Sequence, residues 1–477
     1  MMKKHIHAIL FLWSLSIATL APAFGQELKS KINTAYQRFM SGGKLPNGIA
    51  ALTVLDSKTG NVIFNQNGTL GLPTASTLKV ITSITALDIL GPEYTYKTYL
   101  SYTGEIDSLG ILHGDIIVQG TGDPTLGSDR YPQSNEETVL NKWVYHIKNA
   151  GIQGVHGRII GDDLYYNGYD MPSGWNWGDM GNYYGAGISG LNWRENSIGV
   201  VFSPRNVGED APISKLTHSL DFVQIVNEVK TGANGTGDNV YGYTAPYSQI
   251  IYLRGTYGKD LKKTIEISVP DPALDLAYQL KQSLMSNGIS VDSLMATTAK
   301  RLSNEGIALP TNKKELDVHH SPPLKDIVYW FNQKSINLYG EALLKSIGFI
   351  SGNKTETDEA ARLVAKYWEQ RLNIPTSELQ IKDGSGLSPQ NRVTSLAMSK
   401  IMNYALDRPW FTDFEKSLPT INKMSMKSGT IGGVLGYTGY QTNASGQKVT
   451  FSLLVNNYTG GTTAMRQEMF RLLDNLK

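Results

Sequence analysis

Pro73-Thr74-Ala75-Ser76-Thr77-Leu78-Lys79 places a Ser-x-x-Lys pair at the head of an apolar run, Val80 to Leu90, that stops at Gly91-Pro92. Glycine suits the position past a helix's last turn, and proline cannot continue a helix. Pro73 and Thr74 suit a helix start. The spacing therefore predicts a helix with Ser76 and Lys79 on one face of its first turn. A hydroxyl there meets positive potential, which favours a developing anion. A lysine one turn on could take the hydroxyl proton if its own charge were suppressed. Alone, the pair far more often describes solvated polar residues at a helix start, so its weight rests on partners elsewhere in the chain.

The chain around this stretch has 477 residues, which suggests about three domains. Hydrophobic residues make up 40%, with 25 Tyr and 8 Trp, enough for large packed cores. The formal charge is +2 and there is no basic block, so nucleic acid is not an expected partner. Cysteine is absent, which excludes disulfides, thiolate catalysis, Cys-ligated zinc and a lipidated cysteine. Residues 1–25 read as a secretory signal: Lys3 and Lys4, then an apolar Ala8 to Leu20, then Ala23-Phe24-Gly25 before an expected cleavage at Gln26. Cleavage would remove Lys3 and Lys4 and bring the charge from +2 to neutrality. The mature chain is expected to be exported, periplasmic and soluble.

Leu28 to Phe39 reads as a helix, and Ile49–Asp56 and Asn61–Asn65 read as strands joined by Ser57-Lys58-Thr59-Gly60. From Tyr96 to Ile267 short strands sit between Gly, Asn and Asp turns: Tyr96–Tyr102, Gly114–Gly120, Gly157–Asp162 and Ile250–Gly255. Few strong helices are visible in this region, and Thr138 to Ala150 is one. Helical spacing returns at Pro272–Asn287, Leu324–Phe331, Leu338–Ile347 and Glu356–Leu372. Val449–Asn456 reads as a strand, and Met465–Leu476 as a helix packed on a sheet. The expected division is 26–95 plus 268–477 for one α/β domain, an inserted β-rich domain at 96–202, and a nested module at 203–267.

Two more motifs follow the first. Ser335-Ile336-Asn337 lies between predicted helices, where a loop presents a hydroxyl and an amide together. Lys427-Ser428-Gly429-Thr430 lies on a strand-like run from Met424. Alternation puts Lys427 and Gly429 on one face and Ser428 and Thr430 on the other, unless the strand twists locally. Gly429 would let a substrate backbone approach. Competing signals are weaker. Gly384-Ser385-Gly386 lacks the first glycine of a nucleophile elbow, and Asp383 reads as a turn residue rather than an acid catalyst. His319 and His320 are adjacent and would point apart, so no metal site is expected.

Ser-x-x-Lys opening a helix, Ser-x-Asn in a helix–helix loop and Lys-Ser/Thr-Gly on a late strand together resemble the penicillin-recognising serine hydrolases. Ser335 follows Ser76 at an offset of 335 − 76 = 259 positions, more than a compact β-lactamase needs. The chain resembles the class C low-molecular-mass penicillin-binding proteins, the D-alanyl-D-alanine carboxypeptidases/endopeptidases with two nested extra domains. Gly120-Thr121-Gly122-Asp123-Pro124-Thr125-Leu126, Ser321-Pro322-Pro323-Leu324, Asn337-Leu338-Tyr339-Gly340-Glu341 and Asp383-Gly384-Ser385-Gly386-Leu387-Ser388 resemble the same family. Ser428 stands where many members have threonine, and keeps the hydroxyl.

The resemblance implies an α/β (α+β) fold: a serine transpeptidase-like domain, with an antiparallel sheet flanked by helices and nested β-rich insertions. It implies a catalytic set of Ser76, Lys79, Ser335, Asn337 and Lys427. Ser76 would be the nucleophile, and Lys79 its base if burial and the charge of Lys427 lower its pKa. Ser335 would pass the proton to the leaving amine, and Asn337 would bind the substrate amide. Lys427, Ser428 and Thr430 would hold the terminal carboxylate, with Gly429 giving room. The backbone N–H groups of Ser76 and Thr430 would form the oxyanion hole, at about 3 kcal/mol per donor. The expected substrate is the D-Ala-D-Ala end of peptidoglycan stem peptides. β-Lactams are expected as covalent inhibitors, and no cofactor or metal is expected. A β-lactamase and a non-catalytic peptidoglycan-binding protein stay open as alternatives. Trp175-Asn176-Trp177-Gly178-Asp179-Met180, with Tyr183 and Tyr184, reads either as a core edge with a solvated carboxylate or as a binding site. In the resembling family an inserted domain recognises the free amine of the diaminopimelate side chain, which would make Asp179 a substrate-binding residue.

Overall fold

The computed structural model describes residues 26–291 and 296–477. The expected signal, 1–25, lies outside them. They fall into two units: 26–84, Ala365–Ile381 and Pro389–Lys477 form the first, and Thr85–Val364 with Lys382–Ser388 the second. No helix among the described residues is long and apolar enough to cross a membrane.

The first unit is built on a six-stranded antiparallel sheet. Its order is Val62–Gln66, Ile49–Asp56, Lys448–Asn456, Val434–Thr442, Met424–Ile431 and Thr420–Ile421. Ile49–Asp56 and Lys448–Asn456 are buried almost throughout because both of their faces are covered. On one face Leu52, Val54, Phe451, Leu453 and Val455 join Ile32, Tyr36, Met465, Met469 and Leu472 in a single core. Residues 26–41 and Thr462–Leu473 are the helices that supply the latter set. Each such side chain contributes roughly 1.5–3 kcal/mol by leaving water. The closing helix thus packs on the sheet. On the other face lies the helix Ser395–Ala405, where Thr53 and Ser395 share a hydrogen bond of 2.9 Å.

The second unit holds the β-rich part of the chain. Ala296–Thr298, Ile159–Asp162, Ile116–Gly120, Lys97–Tyr102 and Lys314–His320 form a five-stranded sheet in that order. It shares a core, including Trp143 and Trp193, with the helices Glu136–Asn149 and Pro272–Ser286. Ile198 to Val269 contribute a separate core between a three-stranded sheet and a four-stranded one. The four-stranded sheet pairs Gln224–Asn227, Lys230–Gly232 and Asp238–Tyr243 with Ile250–Gly258. The helices Leu324–Lys334 and Asn337–Gly352 follow one another with Ser335 and Ile336 between them.

Candidate active site

The Ser76 stretch differs from the expected α-turn. Ala75–Leu78 is a 3₁₀ turn, and the α-helix proper is Lys79–Leu90. Ala75 is fully buried with φ +47°, a left-handed conformation costing roughly 1–3 kcal/mol in a residue with a side chain. Thr77 Oγ1 donates to Thr74 O at 2.7 Å and braces the turn. The result leaves Ser76 partly exposed while Lys79 is fully buried beneath it. Lys79 Nζ lies 3.0 Å from Ser76 Oγ, within the reach a base needs of its nucleophile.

Strand pairing brings the third motif to the same turn. Gly429 is opposite Gly436 and Lys427 is opposite Thr438, so these four share a face. A Cβ on Gly429 would stand 2.7 Å from Thr74 O and 2.8 Å from the backbone nitrogens of Ser76 and Thr77. On Gly436 it would meet Thr77 Cγ2 at 2.9 Å. Gly429 therefore lets the sheet touch the Ser76 turn backbone to backbone, and Gly436 makes room for the Thr77 side chain. Ser428 and Thr430, opposite Tyr437 and Leu435, face the other way. The exposed Thr430 hydroxyl accepts from Arg466 Nη2 at 3.0 Å. On its other side, Met424–Ile431 pairs with Thr420–Ile421 only at Met424 and Ser425. The remainder of that edge is where an extended peptide could add as a strand.

Lys427 is also buried, and its Nζ donates to Ser428 O at 2.9 Å. Burial pulls its pKa down to about 7. A lysine is cationic below its pKa, so in the free protein the ammonium is lost as pH rises through about 7. A bound carboxylate would favour the ammonium and shift that loss upward. The expected result is a kcat/KM for carboxylate-ended substrates that falls on the alkaline side, with kcat holding to higher pH. Lys427→Arg should remove that limb, since guanidinium stays charged. Steady-state pH profiles of the two proteins provide the check.

In the second unit Ser335 ends its helix in a left-handed conformation, φ +58°, and the next helix begins at Asn337. This reversal leaves Ser335 half-buried and Asn337 buried. Asn337 Nδ2 donates to Tyr184 O at 2.7 Å, which fixes the amide's orientation. Tyr184 belongs to the aromatic run around Asp179. Burial pushes the half-buried Asp179 carboxyl up, against the lowering influence of Asn176 and the nearby Tyr184 hydroxyl. The Tyr184 phenol is raised by burial first and by Asp179 second. Asn337 and Asp179 are thus brought together through one tyrosine. The sequence offered Tyr184 only as an aromatic wall of the Asp179 run; its contact with Asn337 is made by a backbone carbonyl that no motif encodes.

The two tryptophans of that run part company. Trp175 is buried and its Nε1 donates to Asp383 Oδ2 at 2.9 Å, whereas Trp177 stands in solvent. Asp383 is fully buried and also accepts from the backbone of Gly386 and Ser388, at 2.8 and 2.6 Å. Its carboxylate thus ties the loop 383–388 to itself and to Trp175. His319 is buried, with its pKa lowered to about 4 by desolvation, while His320 is exposed.

Ser76, Lys79, Lys427, Ser428, Gly429 and Thr430 thus gather within the first unit. Ser335, Asn337 and Asp179 lie in the second. Comparison with known proteins gives the family and the fold. The D-alanyl-D-alanine carboxypeptidase of Actinomadura sp. (strain R39) is 24% identical over 473 residues, covering 92% of this chain and 84% of that protein. The D-alanyl-D-alanine carboxypeptidase DacB of Haemophilus influenzae is 23% identical, with 88% of each chain covered. The crystal structure of penicillin binding protein 4 (dacB) from Haemophilus influenzae has the same fold. It superposes with a TM-score of 0.76 at 21% identity, covering 93% of this chain and 98% of that one. Residues 33–476 match the family pattern itself, and the chain belongs to the D-Ala-D-Ala carboxypeptidase 3 (S13) family.

Proposed function

We propose that this protein removes the terminal D-alanine of peptidoglycan stem peptides through an acyl-enzyme on Ser76, and opens D,D cross-links by the same chemistry. Family membership makes it a D-Ala-D-Ala carboxypeptidase. The observation that carries the residue assignment is Lys79 Nζ at 3.0 Å from the partly exposed Ser76 hydroxyl, on a strained turn seated against Gly429.

Ser76 Oγ attacks the carbonyl carbon of the penultimate D-alanine, and its proton passes to Lys79. The backbone N–H groups of Ser76 and Thr430 take the oxyanion. The C–N bond then breaks, and the leaving amine receives a proton through Ser335. Asn337 holds the substrate amide, and Lys427 with the Ser428 and Thr430 positions holds the terminal carboxylate. Water releases the acyl group and restores the hydroxyl. Cross-link cleavage differs only in what the leaving amine carries. β-Lactams would acylate Ser76 in the same way. The reading also takes residues 1–25 as an export signal to the periplasm. It takes 96–202 and 203–267 as inserted modules, which the separate Ile198–Val269 core supports.

Asp179 is assigned to the substrate's side-chain amine. An exposed pair would add about 1 kcal/mol or less, but a half-buried one beside aromatic rings adds more. The test is D-alanine release from two stem peptides, one with the free side-chain amine and one with it acetylated. Wild type should release D-alanine from both, faster from the free amine. Asp179→Ala should raise KM several-fold for the free-amine peptide alone, leaving penicillin acylation intact. Equal losses on all three reactants would mean that Asp179 is structural. No release by wild type would overturn the function itself.

A further inference from the structure

The four-stranded sheet of the second unit exposes a row of aromatic rings that its core does not use. Along Asp238–Tyr243 and Ile250–Gly258 the inward residues Val240, Ile251, Leu253 and Tyr257 fill the core. The outward ones include Tyr241, 45% exposed, and Tyr252, 37% exposed. Tyr243 stands directly across from Tyr252. The Arg254 guanidinium covers both rings, at 5.8 Å from Tyr243 and 5.3 Å from Tyr252. The row does not end at the strand. Trp177, 60% exposed, lies 6.4 Å from Tyr243, and Tyr183 is 54% exposed beside Tyr184.

A backbone clamp joins the row to the motif residues. Gly242 N donates to Asn182 Oδ1 at 3.1 Å, and a Cβ on Gly181 would stand 2.1 Å from Gly242 O. The loop bearing Trp177, Asp179 and Tyr184 is therefore fixed against the strand bearing Tyr241 and Tyr243. Tyr184 O in turn holds Asn337. The aromatic row is thus continuous with the Asn337–Asp179 neighbourhood and leads away from it across the sheet.

We propose that this row is a docking surface for the glycan strand from which the stem peptide hangs. The proposal rests on the peptidoglycan reading above and extends it from the peptide to the sugar polymer. A stem peptide held at Asn337 and Asp179 brings its sugars onto the adjoining surface. The row suits them chemically. Sugar rings present flat C–H faces edged with hydroxyl and acetamido groups. Partly exposed Tyr and Trp rings complement the former, and the latter need hydrogen-bonding partners between the rings. Asn176, Gln224 and Asn239 are exposed polar residues along the same path.

The experiment compares wild type with Tyr252→Ala and Tyr243→Ala, each first shown to melt as wild type does. Binding is measured by calorimetry with peptide-free glycan strands and with tetra-N-acetylchitotetraose. D-Alanine release is measured on a sugar-free stem peptide. The expected result is glycan binding by wild type, weakened about tenfold in each variant, with sugar-free peptide turnover unchanged. Glycan binding equal in all three proteins, or absent from wild type, would overturn the proposal, as would a patch occupied by a second copy of the chain in sedimentation. Either outcome stands apart from failure of the peptidase reading, which shows as wild type inactive on the sugar-free peptide. If a variant melts early, Tyr241→Ala on the edge strand replaces it under the same criteria.

Discussion

Ser76→Ala should leave no covalent band after incubation with a fluorescent penicillin, and D-alanine release should fall by at least about 10⁴-fold. The expectation follows from what the substitution removes. Ser76 Oγ is the only atom lost, and it is the atom that Lys79 Nζ addresses at 3.0 Å. The turn itself is held by other means: the Thr77–Thr74 hydrogen bond, the buried Ala75 and Leu78, and the contact with Gly429. One partly exposed hydrogen bond is worth about 1 kcal/mol, so the melt should move by only a few degrees. A separation of this kind, with chemistry abolished and fold kept, marks a nucleophile rather than a structural serine. A labelled Ser76→Ala protein would remove the assignment outright. Peptide mapping of labelled wild type should return the fragment carrying Ser76.

Much of this was legible in the sequence where a side-chain pattern is decided locally. The strands Ile49–Asp56 and Lys448–Asn456 follow from runs of apolar residues between turn signals, and the second unit's helices follow from their spacing and caps. The three motifs were legible as an ordered set, although none had weight alone. What the sequence hid was made by distant backbone. The turn at Ser76 is 3₁₀ because Ala75 adopts a left-handed conformation that only tertiary packing maintains. The strand Val434–Thr442 is masked in the sequence because Gly436 and Gly439 interrupt its apolar alternation. Their missing side chains admit Thr77 and the Ser425 carbonyl. The helix Ser395–Ala405 was overlooked despite a Thr394 cap that accepts from Ala397 N at 3.0 Å. Trp175 and Trp177, two residues apart, were read alike, yet one is buried on Asp383 and the other is open to solvent. Nothing in their sequence separates them.

Lys79→Arg should be as inactive as an enzyme without its base, losing on the order of 10³-fold or more in acylation. Two arguments converge on it. A guanidinium does not give up its proton near neutral pH, so it cannot receive the one from Ser76. It is also bulkier and forked, while Lys79 occupies a site with no exposed surface beneath the turn. The second argument alone would predict a misfolded turn, so a companion variant is needed to isolate the first. Lys79→Met keeps nearly the length of the side chain without charge or proton acceptor, and should be equally inactive while melting close to wild type. Lys427→Arg provides the contrast. That side chain is asked only to be cationic toward a carboxylate, which arginine does at any pH. Its buried site, where Nζ reaches Ser428 O, will cost some activity through fit, but not all of it. The ranking expected from stopped-flow acylation is therefore wild type, then Lys427→Arg, then both Lys79 variants near background. If Lys79→Arg acylated as fast as wild type, the proton would have to leave Ser76 by another route. If Lys427→Arg and Lys427→Met were alike, the cation would have no part in holding the carboxylate, and the alkaline limb expected near pH 7 would lose its cause.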